Sequence, residues 1–223
     1  MTAGAASGFR ALLQELQRAY GPRHWWPAET PFEVMVGAVL TQNTAWQNVE
    51  RAIDNLKRRG TLAPETLLAL PQSELAELIR PSGYFNVKAR RLRHLCSFLV
   101  DAGGETALRQ RPTEELREAL LDVHGIGPET ADDILLYAFG RPVFVVDAYT
   151  RRLFRRLGRI AGNEGYEQLR RLVEQEIGAD AAALNELHAL IVHHAKAHCR
   201  VRPECAGCPL GGSCPGAGEG QPG

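Results

Sequence analysis

A chain of 223 residues, 44% hydrophobic and 23% charged, has the composition of a globular protein with one or two cored domains. Its 26 basic and 26 acidic residues cancel, which excludes a strongly basic coat for nucleic acid but leaves room for local contacts to phosphate. No apolar run approaches the ~20 residues of a membrane span, and Met1 to Gly8 lacks a secretory signal, so an intracellular, cytoplasmic protein with reduced thiols and no membrane partner is expected.

Taken in chain order, nearly every segment reads as helix. Leu12, Leu13, Leu16 and Tyr20 give Phe9 to Tyr20 a helical apolar face, and Phe32 to Leu56 reads as one or two helices interrupted near Thr41 to Thr44. Short helices with proline near their starts follow from Pro64 and from Pro71, then a turn at Pro81-Ser82-Gly83. Val87 to Gly103, Thr113 to Leu121, Thr130 to Phe139, Ala148 to Leu157, Tyr166 to Ile177 and Ala181 to His198 complete the helices. Val143 to Val146 alone looks strand-like, so the expected fold class is all-α, and Pro215 to Gly223, without an apolar anchor, is expected to be a disordered tail. Three basic clusters, led by Lys88, Arg151 and Lys196, read individually as solvated helix faces.

The stretch from Leu121 to Leu135 reads helix, Gly125-Ile126-Gly127, helix. Glycines there permit positive φ and a close approach of the backbone to a ligand, while the free N–H groups opening the second helix, around Thr130, suit a phosphate oxygen. A tight turn between helices would look the same. Twenty residues past Gly127, Val143 to Val146 delivers a lone carboxylate, Asp147, to the start of a helix. Asp is a favoured N-cap, and capping would fix its orientation. Cys199, Cys205, Cys208 and Cys214 stand in a C-x5-C-x2-C-x5-C pattern, which suits an iron–sulfur cluster and also admits structural zinc. Cys96, flanked by apolar residues, reads as core. Trp25 and Trp26, with Trp46 beyond the Thr41 to Thr44 loop, are either core or an aromatic stacking pocket.

The hairpin with Val146-Asp147 at this spacing, Leu40-Thr-Gln-Asn-Thr44 and Gly83-Tyr-Phe-Asn-Val-Lys-Ala89 together resemble the helix-hairpin-helix DNA glycosylases, the superfamily of endonuclease III, over nearly the whole chain. Trp-Trp-Pro and Arg80-Pro-Ser-Gly-Tyr-Phe-Asn86 are most similar to its 3-methyladenine glycosylase branch. The resemblance implies two helical lobes, residues 23–140 and residues 1–22 plus 141–214, with double-stranded DNA between them and a monomeric protein. It implies Asp147 as the catalytic carboxylate and Trp25, Trp26 and Trp46 as the base pocket. Gln42 and Asn43 would fill the gap left by a flipped base. Gly125, Gly127, Thr130, Arg200 and Arg202 would meet phosphates, and the four cysteines would hold a [4Fe–4S] cluster. The first cysteine spacing is one residue shorter than the family's usual one. Where strand-cleaving members carry a lysine, two residues past the second glycine, this chain has Glu129, so base removal without strand cleavage is expected. An alkylated purine is the expected base; uracil, mismatched thymine, an oxidised pyrimidine, or a non-catalytic iron–sulfur DNA-binding protein are the alternatives.

Overall fold

The computed structural model describes residues 8–23 and 26–217. Among them run twelve α-helices: α1 (Phe9–Tyr20), α2 (Pro31–Leu40), α3 (Trp46–Arg59), α4 (Pro64–Ala69), α5 (Gln72–Leu78), α6 (Phe85–Asp101), α7 (Gly104–Arg109), α8 (Thr113–Leu121), α9 (Pro128–Asp133), α10 (Ala148–Arg156), α11 (Tyr166–Ile177) and α12 (Ala181–Ala197). A 3₁₀ turn spans Arg80–Ser82, a π-helical stretch over Ile134–Ala138 continues α9, and no strand occurs among the described residues. The chain divides into two compact units, one of residues 26–141 and one of the described residues within 1–25 and 142–223.

The unit of residues 26–141 is built round α2. Nine of its ten residues, Phe32 to Leu40, are buried, as expected of a helix that is apolar on every side. Pro31 pre-sets the first turn, and the Thr30 hydroxyl accepts the N–H of Glu33 at 3.1 Å, an N-cap worth about 1 kcal/mol. The buried Glu33 carboxylate is compensated by Lys57 of α3 at 2.9 Å. α3, α6, α9 and the π-helical stretch pack round α2. α8 is locked to α9 by a buried bidentate pair, Arg117 donating to both Asp132 oxygens at 2.7 and 3.1 Å. Removing one partner of such a pair costs about 3–5 kcal/mol, so the hairpin between these helices rests on a stiff support.

The other unit repeats the plan with α12, whose residues from Leu187 to Val192 are all buried and which packs with α1, α10 and α11. Asp180 caps α12 through the N–H of Ala183 at 3.0 Å. Phe9, Leu12, Leu13 and Leu16 form the buried face of α1, and Phe144 stacks parallel to Phe154 of α10 with centroids 6.4 Å apart.

Several elements depart from the sequence reading. Val143 to Val146 is buried but is no strand and joins no ladder: Glu174 accepts the N–H of Phe144 at 2.8 Å and the Tyr166 hydroxyl that of Val146 at 3.4 Å. Side chains of α11 thus satisfy the backbone that a partner strand would otherwise pair. α7 is a helix that the glycines at 103 and 104 concealed, and the second hairpin helix starts at Pro128 rather than Thr130. Within the expected tail, Gly216 is buried and donates its N–H to the Arg156 carbonyl at 3.0 Å, while Pro215 and Ala217 are exposed; residues 218–223 lie outside the described residues. Lys88 belongs to no solvated face: it is 1% exposed.

Candidate active site

The apolar run from Val143 to Val146 is anchored in the core of its unit, and the next residue, Asp147, turns into α10 as its N-cap. Its Oδ1 accepts the N–H of Thr150 at 2.7 Å, and its Oδ2 lies 3.6 Å from Nε2 of His188 on α12. The side chain keeps 12% of its surface exposed. Burial pushes the carboxyl up, but the electrostatic contact with His188 and the cap to Thr150 together outweigh it and hold Asp147 below the usual carboxylate range. The group is therefore an ionised, oriented carboxylate with a remnant of access, able to stabilise a developing cation or orient a water.

In the hairpin, Gly125 takes φ +94°, and a Cβ there would collide with the Arg91 side chain. Gly127 differs from the expectation of positive φ: it is extended, at φ −96°, and a Cβ would meet nothing within 4 Å. Gln42, on the α2–α3 loop, is folded back onto this turn. Its Nε2 donates to the Gly125 carbonyl at 3.2 Å and to the Thr130 hydroxyl at 2.9 Å, while Arg91 donates to its Oε1. Thr130 is accordingly buried, whereas Asn43 is exposed in a left-handed conformation, φ 54°, and Glu129 is exposed in the first turn of α9.

Lys88 of α6 organises the neighbouring loops. Its Nζ donates to the Leu40 carbonyl at 2.8 Å, the Thr44 hydroxyl at 2.6 Å and the Ser82 carbonyl at 2.7 Å. Burial, then the charge of Arg91, pulls its ammonium down to about 8. The clip ties the loop of Gln42 and Asn43 to the turn that presents Tyr84, a 74% exposed aromatic at φ 45°. Two left-handed non-glycine residues flank one buried lysine, each at a cost of about 1–3 kcal/mol, the kind of strain found at ligand sites.

Trp26 is half-buried, its ring 4.9 Å from Tyr137 and edge-on to Trp46 at 5.1 Å. Its indole lies against Gly37, where a Cβ would sit 3.2 Å from the ring. Trp46 donates Nε1 to Glu50 at 2.8 Å. Trp25 lies outside the described residues. Tyr137, Arg91, Lys88, Tyr84 and His188 were not singled out from the sequence as site residues; a π-helical register, a buried lysine and a cross-helix contact leave no local spacing to read.

The four cysteines carry free thiols and line one small pocket, walled also by Leu153 and Leu210. Arg156 donates to the Cys199 sulfur at 3.2 Å and to the carbonyls of Arg200 and Val201 at 2.6 and 2.9 Å. Burial raises the Cys208 and Cys214 thiols, and charge on the other cysteines raises them further. Four soft sulfur donors around one space, two of them made costly to ionise by burial, fit a cationic iron centre better than they fit free thiols. Among the described residues no three His, Cys, Asp or Glu side chains meet closely enough to hold a single metal ion. Arg200 is exposed and pairs with Glu204 at 2.7 Å, and Arg202 is exposed beside it.

Comparison with known families decides what this arrangement belongs to. Residues 36–178, which hold the hairpin, the Lys88 clip and Asp147, match the family described as HhH-GPD superfamily base excision DNA repair protein. The chain belongs to the HhH-GPD superfamily. It is 48% identical, over 87% of its length and 90% of the relative's, to a Methanocaldococcus jannaschii protein whose name, DNA repair glycosylase, is itself provisional. It is similar to the crystal structure of the Helicobacter pylori 3-methyladenine DNA glycosylase MagIII bound to 1,N6-ethenoadenine, with a TM-score of 0.75 and 32% identity, covering 86% of this chain and 98% of that one. An endonuclease III–DNA complex matches with a TM-score of 0.82 and 26% identity, covering 94% and 95%. As an HhH-GPD member the protein acts in base excision repair of DNA, and no helix among the described residues is long and apolar enough to cross a membrane.

Proposed function

We propose that the protein is a monofunctional DNA N-glycosylase that hydrolyses the glycosidic bond of a flipped alkylated purine such as 3-methyladenine. The observation that carries this reading is Asp147, an ionised carboxylate held at a helix start. As the C1′–N bond breaks, positive charge develops on the sugar; Asp147 stabilises it, orients the water that adds to C1′ and accepts that water's proton, and an alkylated, positively charged purine leaves with the bonding pair as the neutral base. Trp26, Trp46 and Tyr137 form an aromatic wall against which a cationic base is held, by about 0.5–2 kcal/mol. Tyr84, exposed on its strained turn, stacks on an unpaired nucleobase, and Asn43, exposed on the neighbouring loop, offers a polar group to the gap. For Gln42 to enter the duplex it must first give up its contacts to the hairpin. Gly127, the N–H groups opening α9, Arg200 and Arg202 meet phosphates.

Glu129 occupies the place of the strand-cleaving lysine and offers no amine, so an abasic site is the product. Cys199, Cys205, Cys208 and Cys214 would hold a [4Fe–4S] cluster, which supplies a rigid cross-link to the loop carrying Arg200 and Arg202. Similarity to the MagIII glycosylase supports the choice of base. A lesion panel of duplexes tests it: release of 3-methyladenine is expected, and release of uracil or an oxidised pyrimidine with no alkylpurine would replace that substrate. Asp147→Asn is expected to lower excision by about 10²–10⁴-fold with DNA affinity retained. Borohydride is expected not to trap the wild type on DNA. Pure protein is expected to be brown; colourless protein holding zinc would remove the cluster.

A further inference from the structure

α12 places His188 in the middle of its buried face, 6% exposed, with the imidazole edge-on to Phe144 at 6.2 Å and 89°. Its Nε2 is 3.6 Å from Asp147 Oδ2, while Oδ1 of the same carboxylate is taken by the N–H of Thr150 at 2.7 Å. The two oxygens therefore have different attendants, one on α10 and one on α12. A carboxylate capped through one oxygen alone keeps a broad, roughly two-fold torsion about its last bond. A second contact from another helix removes that freedom. The distance is that of an electrostatic contact, longer than a direct hydrogen bond, and contacts of this kind shorten when a substrate closes a site.

We propose that His188 is a positioning residue: its Nε2 fixes the second oxygen of Asp147, so that the carboxylate faces the reacting sugar and water in one orientation. Nothing covalent passes through it, and it touches no substrate. This rests on the reading of Asp147 as the catalytic carboxylate. An ordinary core histidine would occupy the same volume, but its replacement by an aromatic of similar shape would leave the rate alone. Misplacing a reacting group by about 1 Å costs ~10²-fold, whereas binding energy distributed along the DNA is untouched.

The test measures single-turnover excision and DNA affinity separately, on the full-length protein with its metal content as isolated and with a 3-methyladenine duplex, or with the duplex that the lesion panel selects. His188→Phe is expected to slow excision by about 10- to 100-fold with DNA affinity within about twofold of wild type. His188→Gln, which retains an N–H donor, is expected to recover most of the rate. A His188→Phe enzyme at the wild-type rate, or a His188→Gln enzyme as slow as His188→Phe, overturns the proposal. A second measurement needs no change at 188. In ¹⁵N-histidine-labelled protein, Asp147→Asn is expected to shift the His188 Nε2 resonance, and an unmoved resonance overturns the contact. The two readings fail differently. An Asp147→Asn enzyme that still excises bases removes the catalytic assignment itself, whereas an inactive Asp147→Asn beside a fully active His188→Phe removes only the role of His188.

Discussion

Lys88 illustrates how a single residue carries a site without touching its chemistry. A lysine that is 1% exposed is tolerated because three oxygens surround its ammonium, and two of them belong to the loops that present Asn43 and Tyr84. Lys88→Met leaves those oxygens unpaired, at about 1–3 kcal/mol, and is expected to depress DNA affinity along with stability. The pH dependence has a definite sign. The ammonium titrates near 8 in the folded protein against an ordinary 10.5, so between these values the unfolded chain binds a proton that the native state does not. Wild-type stability therefore rises from pH 8 to 10.5 relative to Lys88→Met, which denaturant melts at four or five pH values across that window would measure. A gap that narrows as pH rises through it would refute the burial argument. Local composition around Lys88 reads as a basic, solvated helix face; only the packing of α6 against the 3₁₀ turn and α2 turns its side chain inward.

At the scale of elements, the two hairpin glycines separate folding from binding. Gly125→Ala places a methyl group into Arg91 in a left-handed conformation, and so disturbs the Arg91–Gln42–hairpin network; a loss of about 1–3 kcal/mol is expected in thermal or denaturant unfolding. Gly127→Ala meets open space in an extended conformation, so stability is expected to stay within about 0.5 kcal/mol of wild type. If a DNA backbone passes close to this turn, the same substitution weakens DNA binding, and a titration with labelled duplex reads that effect alone. Helix starts and stops were largely legible, because Thr30-Pro31 and the periodic apolar faces act locally: α1 and α11 fall on their expected bounds. The run from Val143 to Val146 was not, since β-branched residues in a buried stretch look like a strand until Glu174 and Tyr166 are seen to accept its N–H groups.

For the molecule as a whole, each unit is built round a central helix, α2 buried almost throughout and α12 buried along its middle. On the cluster reading, iron closes a sixteen-residue loop from Cys199 to Cys214. Removing it by chelation, or by Cys208→Ser, is expected to cost on the order of 3 kcal/mol, the closure entropy of a loop of that length. Melting temperature should fall, and proteolysis should begin between residues 199 and 214; unchanged melting and protection after metal loss would count against a structural cluster.

Residue order alone determined the family, the all-helical class, the glycine turn with a carboxylate some twenty residues on, and the grouping of four cysteines, because each of these is written in spacing along the chain. Tertiary structure alone decided that Lys88 is buried, that Gln42 lies against the hairpin, that Tyr137 faces Trp26 and that His188 meets Asp147. Those pairings join residues between 41 and 111 positions apart, and which side chains meet across such separations depends on how helices pack rather than on any local pattern.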